Sequence, residues 1–211
     1  MGDTVRRPRH LNSPLVRDLL THLAEQGFDG APRYLGHDEH GREVFTFLEG
    51  EVPPALDASM PDDVLVAAAR LIREYHDATA DCALTEDQDV VCHGDLSPCN
   101  FVFRCGLPVA IIDFDGAAPG PRLRDLGYAL FLWLNLGTDG PALVEQARRM
   151  RLFCDAYGIA TDGRLGMAVL DAVAENVEPL RAEGRAADAE WWQAQLEWLT
   201  LRRDELTRLL S

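Results

Sequence analysis

Apolar residues recur at helical spacing twice in the first half of the chain. Leu15, Val16, Leu19, Leu20 and Leu23 form one face. Ser13-Pro14 stands before it, a capping residue with proline at the first helical position, and Gly27 follows as the expected stop. Val64, Leu65, Ala68, Leu71, Ile72 and Tyr75 form a second face, opened by Ser59-Met60-Pro61-Asp62. Short runs with strand character surround these helices. Residues 3–7 read as a strand ended by Pro8, which has no N–H for a ladder. Tyr34-Leu35 and residues 43–48 read as strands joined through the turn-rich Asp38-Glu39-His40-Gly41. Residues 90–93, 101–104 and 109–112 add three more, with a turn at 105–108. From Leu126 onward the pattern is helical, with breaks near residues 137–140, 158–163 and 183–184.

This order predicts an α+β fold in two parts. Residues 1–50 make a small unit of strands plus one helix, residues 49–58, with Gly50, Pro53 and Pro54, make a connector, and residues 51–211 form a larger, mainly helical lobe. At 211 residues and 47% hydrophobic composition the chain can bury a substantial core. No apolar run approaches the roughly 18 residues of a membrane span, and the basic first residues lack the apolar stretch of a secretory signal, so a cytoplasmic protein is expected.

Charge and cysteines narrow the chemistry. A net charge of −15 argues against a nucleic-acid partner and is compatible with a cationic ligand. All 20 basic residues are arginine. The five cysteines, Cys82, Cys92, Cys99, Cys105 and Cys154, show no zinc spacing and are expected as free, buried thiols. The sequence carries no signal of oligomeric state.

The chemistry concentrates in Val90-Val91-Cys92-His93-Gly94-Asp95-Leu96-Ser97-Pro98-Cys99-Asn100 and in Ile111-Ile112-Asp113-Phe114-Asp115. Phosphoryl transfer needs a carboxylate against the attacking hydroxyl and oxygen ligands for magnesium, because positioning and charge neutralisation supply most of the catalysis. The pattern H-x-D-x-x-x-x-N, followed by an aspartate after an apolar strand, matches those two jobs.

These residues resemble the catalytic and metal loops of the aminoglycoside phosphotransferase and choline kinase-like family, small-molecule kinases with a protein-kinase-like fold. The resemblance implies two lobes, ATP as co-substrate, Mg2+, and a small-molecule acceptor that is aminoglycoside-like or another amino-alcohol. It implies that Asp95 orients the acceptor hydroxyl and takes its proton, that Asn100 and Asp113 ligate magnesium, and that His93 and Asp125 brace the catalytic loop. Asp115 would belong to the shell of a second metal. Gly94 stands where protein kinases have an arginine that pairs with a phosphorylated loop, so no switching of that kind is expected. Arg73-Glu74-Tyr75-His76-Asp77 resembles the helix end before the catalytic loop. Phe45-Thr46-Phe47-Leu48-Glu49-Gly50 resembles the hinge, with backbone groups of Phe47, Leu48 and Glu49 facing the adenine.

The likeness is incomplete at the start. Only four residues precede Val5, too few for the strand pair and phosphate-covering loop of such kinases, so an incomplete amino-terminal lobe and an amino-terminally truncated chain are expected. Arg6 or Arg7 falls where the family carries its phosphate-binding lysine, and Arg7 is assigned to the nucleotide. Asp18 and Glu25 are the available acid partners on the following helix. Near the other end, Asp171, Glu175 and Glu178 at helical spacing, with Trp191, Trp192 and Trp198, would suit a cationic acceptor. The alternative expectation is a catalytically weak or inactive kinase-like binding protein for a small molecule. A carboxylate metal site serving hydrolysis fits the Asp-to-Asn interval less well.

Overall fold

The computed structural model describes residues 3–54 and 60–210; Ser59 and residues 55–58 of the expected connector lie outside the described residues. The amino-terminal part is an antiparallel sheet in the order β1-β3-β2, built from β1 (Thr4–Arg7), β2 (Tyr34–His37) and β3 (Glu43–Thr46). Alternation along β3 sends Glu43 and Phe45 to one covered face. The strand is shorter than the expected 43–48; past Thr46 the Phe47 N–H still donates to the Asp3 carbonyl at 2.9 Å, in register with β1.

Helix α1 (Ser13–Glu25) buries Val16, Leu19, Leu20 and Leu23 as its spacing predicts. Its cap differs from the expectation. Asn12, not Ser13, is the capping residue, and its side chain makes no cap bond. Ser13 Oγ instead donates to the buried Glu43 carboxylate at 2.7 Å, tying α1 to β3. Gly27 ends the helix with a φ of +73°, which lets the Phe28 N–H close back on the Leu23 carbonyl at 2.9 Å.

The larger part begins with α2 (Asp62–Thr79), whose buried stripe runs from Val64 to Tyr75 and continues to His76 and Thr79. Strand β4 (Val90–Cys92) follows, buried at all three positions. A hairpin of β5 (Phe101–Arg104) and β6 (Leu107–Ile111) turns through only Cys105 and Gly106, with φ of 51° and 78°. Two positive values make this the tight turn that matches strand twist, shorter than the expected 105–108. It leaves Cys105 exposed; Cys92 and Cys154 are buried as expected, while Cys82 and Cys99 are half-buried, and all five are free.

Strand β7 (Ala118–Gly120) pairs antiparallel with β4 and was not legible beforehand, because Ala-Pro-Gly has no strand propensity of its own. Four helices complete the chain: α3 (Arg122–Trp133), α4 (Leu143–Tyr157), α5 (Gly163–Ala182) and α6 (Ala186–Leu210). They are separated at the three breaks read from the sequence, and α3 starts one turn earlier than expected. No helix among the described residues is long and apolar enough to cross a membrane.

Helix α2 packs on α4 and β6, α3 on α5, and α5 on α6, so the two loops that follow β4 and β6 rest on a helical base. Gly127 sets the α3–α5 distance, since a Cβ there would run into the Ala168 carbonyl oxygen. Gly127→Ala is therefore expected to destabilise the protein by about 1–3 kcal/mol through overpacking. Urea unfolding measures this, and an unchanged midpoint would show that α3 and α5 tolerate wider spacing.

Candidate functional site

Residues 93–100, the expected catalytic loop, run from β4 to β5, and residues 112–117 run from β6 to β7. Their first constraint is Asp125 in the first turn of α3, a carboxylate only 1% exposed. It accepts the N–H of His93 at 2.7 Å, the N–H of Gly94 at 2.9 Å and Nε2 of His76 at 3.1 Å. Burial alone would raise the Asp125 pKa; the bond and charge of His76, helped by His93 and the Gly94 N–H, outweigh it and hold the carboxyl below its usual value. Nδ1 of His76 meets the Tyr157 hydroxyl at 2.8 Å, which meets Arg122 at 3.3 Å, so the network runs from the loop into α4.

His93 is the second constraint. Its Nε2 lies 3.0 Å from the Ile112 carbonyl, and its Nδ1 lies 3.2 Å from the Asp95 N–H. A carbonyl only accepts and an amide N–H only donates, so these partners assign the neutral tautomer with the proton on Nε2. Complete burial pushes the His93 pKa down, in keeping with that form. One imidazole thus registers Asp95 against the residue preceding Asp113.

Backbone shape completes the crossing. Gly94 has a φ of +84°, and a Cβ on it would run into the Gly116 carbonyl oxygen. Glycine is required here by close approach of the two loops as well as by conformation. Trp133 Nε1 donates to the Leu96 carbonyl at 2.9 Å from a ring buried edge-on against Phe101. Asn100 sits in a short 3-10 turn and gives its amide nitrogen to the Asp95 carbonyl at 3.0 Å. Among the described residues no hydrogen bond reaches its side-chain oxygen. Asp113, a non-glycine residue at φ 65° and ψ 63°, is turned out of line after β6 and is half-exposed.

Two openings flank the crossing. A cleft of about 350 Å³ between the sheet and the β5–β6 hairpin is lined by Val5, Phe45, Phe47, Leu48, Val102 and Ile112, and reaches Arg7, Asp113 and Asp115. Of the expected hinge residues, Phe47 and Leu48 line it. Glu49 does not, and its carbonyl accepts from Arg104 at 2.8 Å. Among the described residues no partner takes the backbone N–H or C=O of Leu48. A second, polar opening of about 320 Å³ is lined by Asp95, Arg124, Tyr128, Glu175 and Asn176.

The charged partners depart from the sequence expectation. Arg7 reaches Asp115 at 2.6 Å and Asp113 at 3.6 Å, with its guanidinium 5.0 Å from the Phe45 ring centre. His10 meets Asp115 at 3.1 Å, and Asn12 donates to the carbonyls of Asp115 and Ala117 at 3.0 and 2.9 Å. The acid partners of Arg7 therefore come from the turn after β6 and not from α1: Asp18 pairs with Arg17, and no partner reaches Glu25 among the described residues. Glu175 faces the polar opening, Asp171 lines a neighbouring groove, and Glu178 pairs with Arg181. Trp192 stacks on Tyr128, Trp191 packs on Phe131, and Trp198 is covered by Arg202.

Sequence reasoning missed His10, Asn12, Tyr128 and Asn176 as members of the site. Only Tyr128 carried a signal, three residues beyond Asp125 and hence on the same helical face. Removing charge at Asp125 tests the network: Asp125→Asn keeps one acceptor but turns an N–H2 toward backbone donors, and is expected to cost about 3–5 kcal/mol. The depressed carboxyl contributes stability that is present above the ordinary carboxylate pKa of about 4 and lost as pH falls through the folded value. Denaturation followed from about pH 6 to pH 3 is expected to show that loss in the parent and a shallower one in the variant.

Comparison with known proteins places this geometry. The sequence pattern described as the phosphotransferase enzyme family matches residues 79–170, which include both loops. A trifolitoxin immunity protein of Rhizobium leguminosarum bv. trifolii is 32% identical over 249 aligned positions, covering 100% of this chain and 93% of that one. An aminoglycoside phosphotransferase from Alicyclobacillus acidocaldarius superposes with a TM-score of 0.61 at 15% identity, over 98% of this chain and 84% of that one. Another, from Streptomyces rimosus in complex with ADP and streptomycin, gives 0.59 at 18% identity, over 93% and 86%. These two share the kinase-like, two-lobed fold with a mainly helical carboxy-terminal lobe. By its matched loops and its sequence relative, the chain belongs to the phosphotransferase enzyme family that includes the aminoglycoside phosphotransferases.

Proposed function

We propose that this protein transfers the γ-phosphoryl group of ATP to a hydroxyl of a small molecule, with Asp95 as the group that orients the hydroxyl and accepts its proton. The observation that carries the reading is the His93 imidazole bonded both to the Asp95 N–H and to the Ile112 carbonyl. It fixes a carboxylate facing the polar opening relative to a carboxylate facing the apolar cleft, as an in-line transfer between two substrates requires. The acceptor oxygen attacks the γ-phosphorus, its proton passes to Asp95, and ADP leaves on the side of Asp113.

The adenine would lie in the apolar cleft against Phe47 and Leu48, with the unpaired backbone groups of Leu48 at its edge. Arg7 would meet the phosphates, although its planar fork is not the geometric equivalent of an ammonium. Magnesium fits the donors present: the Asn100 side-chain oxygen, which has no partner among the described residues, and the Asp113 carboxylate are hard oxygen ligands, and Mg2+ is commonly held by one or two side chains plus substrate phosphates. When bound, magnesium would neutralise charge on the β- and γ-phosphates.

The acceptor would enter the polar opening beside Glu175 and Asn176, a lining suited to a molecule bearing hydroxyls and amines. The name of the sequence relative adds a toxin to the candidate acceptors, and streptomycin in a structural neighbour adds an aminoglycoside. The reading predicts that Asp95→Asn lowers kcat about 10²- to 10⁴-fold with nucleotide Kd within about threefold. ADP formation and calorimetry measure the two, and undiminished turnover would remove Asp95 from the role.

A second reading, a kinase-like protein that binds a small molecule with little or no turnover, is favoured by one observation. The Arg7 guanidinium already sits on both metal-loop carboxylates, where it competes with a divalent ion. Arg7→Met separates the two. If Arg7 serves the nucleotide, the variant raises the Kd for magnesium ATP about 10-fold or more, the loss of one charge-assisted contact. If Arg7 serves only the carboxylates, Kd stays the same or falls, and metal binds more tightly.

A further inference from the structure

Asp113 stands in the left-handed region, with φ 65° and ψ 63°. That conformation costs free energy for a residue with a side chain and persists only where the surroundings over-determine it. The chain entering Asp113 is fixed: the Ile112 N–H donates to the Asn100 carbonyl at 2.9 Å, and the Ile112 carbonyl accepts from the His93 imidazole at 3.0 Å. The chain leaving it makes one 3-10 turn, Phe114–Gly116, closed by the Ala117 N–H on the Phe114 carbonyl at 3.0 Å. On its inner side this turn is anchored by the Phe114 ring, buried against His93 and Tyr75.

Its outer side is held from the start of α1. The Asn12 amide nitrogen donates to the Asp115 carbonyl at 3.0 Å and to the Ala117 carbonyl at 2.9 Å, bridging the end of the turn. Both partners only accept, so the nitrogen must face them, and both of its hydrogens are spent there. The diversion leaves α1 without its usual aids. Asparagine is among the favoured capping residues, yet α1 has no side-chain cap bond and no acidic residue in its first turn. A local rule is broken at Asn12 while a turn more than a hundred residues away gains two bonds, the kind of exchange expected at a functional position. Arg7 and His10 also reach this turn, but through the Asp115 carboxylate. Asn12 is neutral and grips main chain, so its hold does not depend on where the Arg7 guanidinium lies.

We propose that Asn12 is a positioning residue for magnesium binding, whose two bonds to the turn after β6 keep Asp113 in its left-handed conformation with the carboxylate presented to the apolar cleft. The proposal rests on the phosphoryl-transfer reading of the same site. It gives the connection between β1 and α1 a part in the chemistry, because that segment holds the turn carrying Asp113 without supplying a ligand itself. It also separates two tasks: Asn12 keeps the main chain of the turn in place, which leaves Arg7 able to exchange a carboxylate for a phosphate without loss of the turn.

Asn12→Ala removes both bonds and takes no cap from α1, since the side chain makes none. Calorimetry with ATP is run with and without magnesium. The Kd for ATP alone is expected to stay within about twofold of the parent, and the affinity gained on adding magnesium is expected to shrink about 5- to 20-fold, the worth of one or two net hydrogen bonds. Tm should fall by no more than about 4 °C. A crystal structure of the metal-free variant gives a readout independent of binding, in which Asp113 leaves the left-handed region. An undiminished gain from magnesium, an Asp113 that stays left-handed, or a loss of Tm well beyond that figure each overturns the proposal. A parent protein whose affinity for ATP does not respond to magnesium counts against the phosphoryl-transfer reading instead, and the conformation of Asp113 in the variant then decides on Asn12 alone.

Discussion

A charged group withdrawn from water governs this molecule. The Asp125 carboxylate is buried, and three donors hold it ionised: two main-chain N–H groups of the catalytic loop and the imidazole of His76. A buried anion that loses a partner costs several kcal/mol, so the loop cannot drift without paying that amount. Because His93 and Gly94 are the residues held, Asp125 dictates the path of the chain into Asp95. The path through His76 to Tyr157 and Arg122 ties the same loop to α2, α4 and α3 together. Hydrophobic burial makes the helical base, but this network gives the base an orientation relative to the site.

The next layer of constraint is local. His93 connects the two loops by side-chain bonds, and Gly94 lies so close to Gly116 that no side chain fits between them. The ring of Phe114 packs 4.7 Å from that of His93, closing the gap below the crossing. The two carboxylates that face opposite openings are therefore parts of one compact crossing, and the openings are its two sides. Asn12 extends the arrangement to the sheet by spending its amide on the carbonyls of Asp115 and Ala117 instead of on its own helix.

Much of this was legible in the sequence for physical reasons. Long amphipathic stripes such as Val16 to Leu23 report their burial through period alone, and the helical breaks follow from glycine and proline chemistry. The ordered set His93, Asp95, Asn100 and Asp113 was readable because its spacing is set by a loop between strands. What escaped is long-range pairing. Strand β7 forms because β4 needs a partner, not because Ala-Pro-Gly prefers to be extended. The partners of Arg7 lie more than a hundred residues away in the chain, and no periodicity links them. Ser13 looked like a cap by residue type, yet Glu43 claimed its hydroxyl. Glu175 was singled out by helical spacing, but only the packing of α5 on α3 decides that it, and not Glu178, meets the opening.

The contrast between the two sides of the site has a consequence for solution conditions. Arg7, Asp113 and Asp115 are partly open to water, and ion pairs in that setting are weak and screened by electrolyte. The contacts of Asp125 are sealed from solvent and feel dissolved ions far less. Raising ionic strength therefore slackens the attachment of the first strand to the turn at Asp113 and Asp115 while the loop of residues 93–100 keeps its shape. One face of the protein is tuned by the medium, and the other is set by the chain alone.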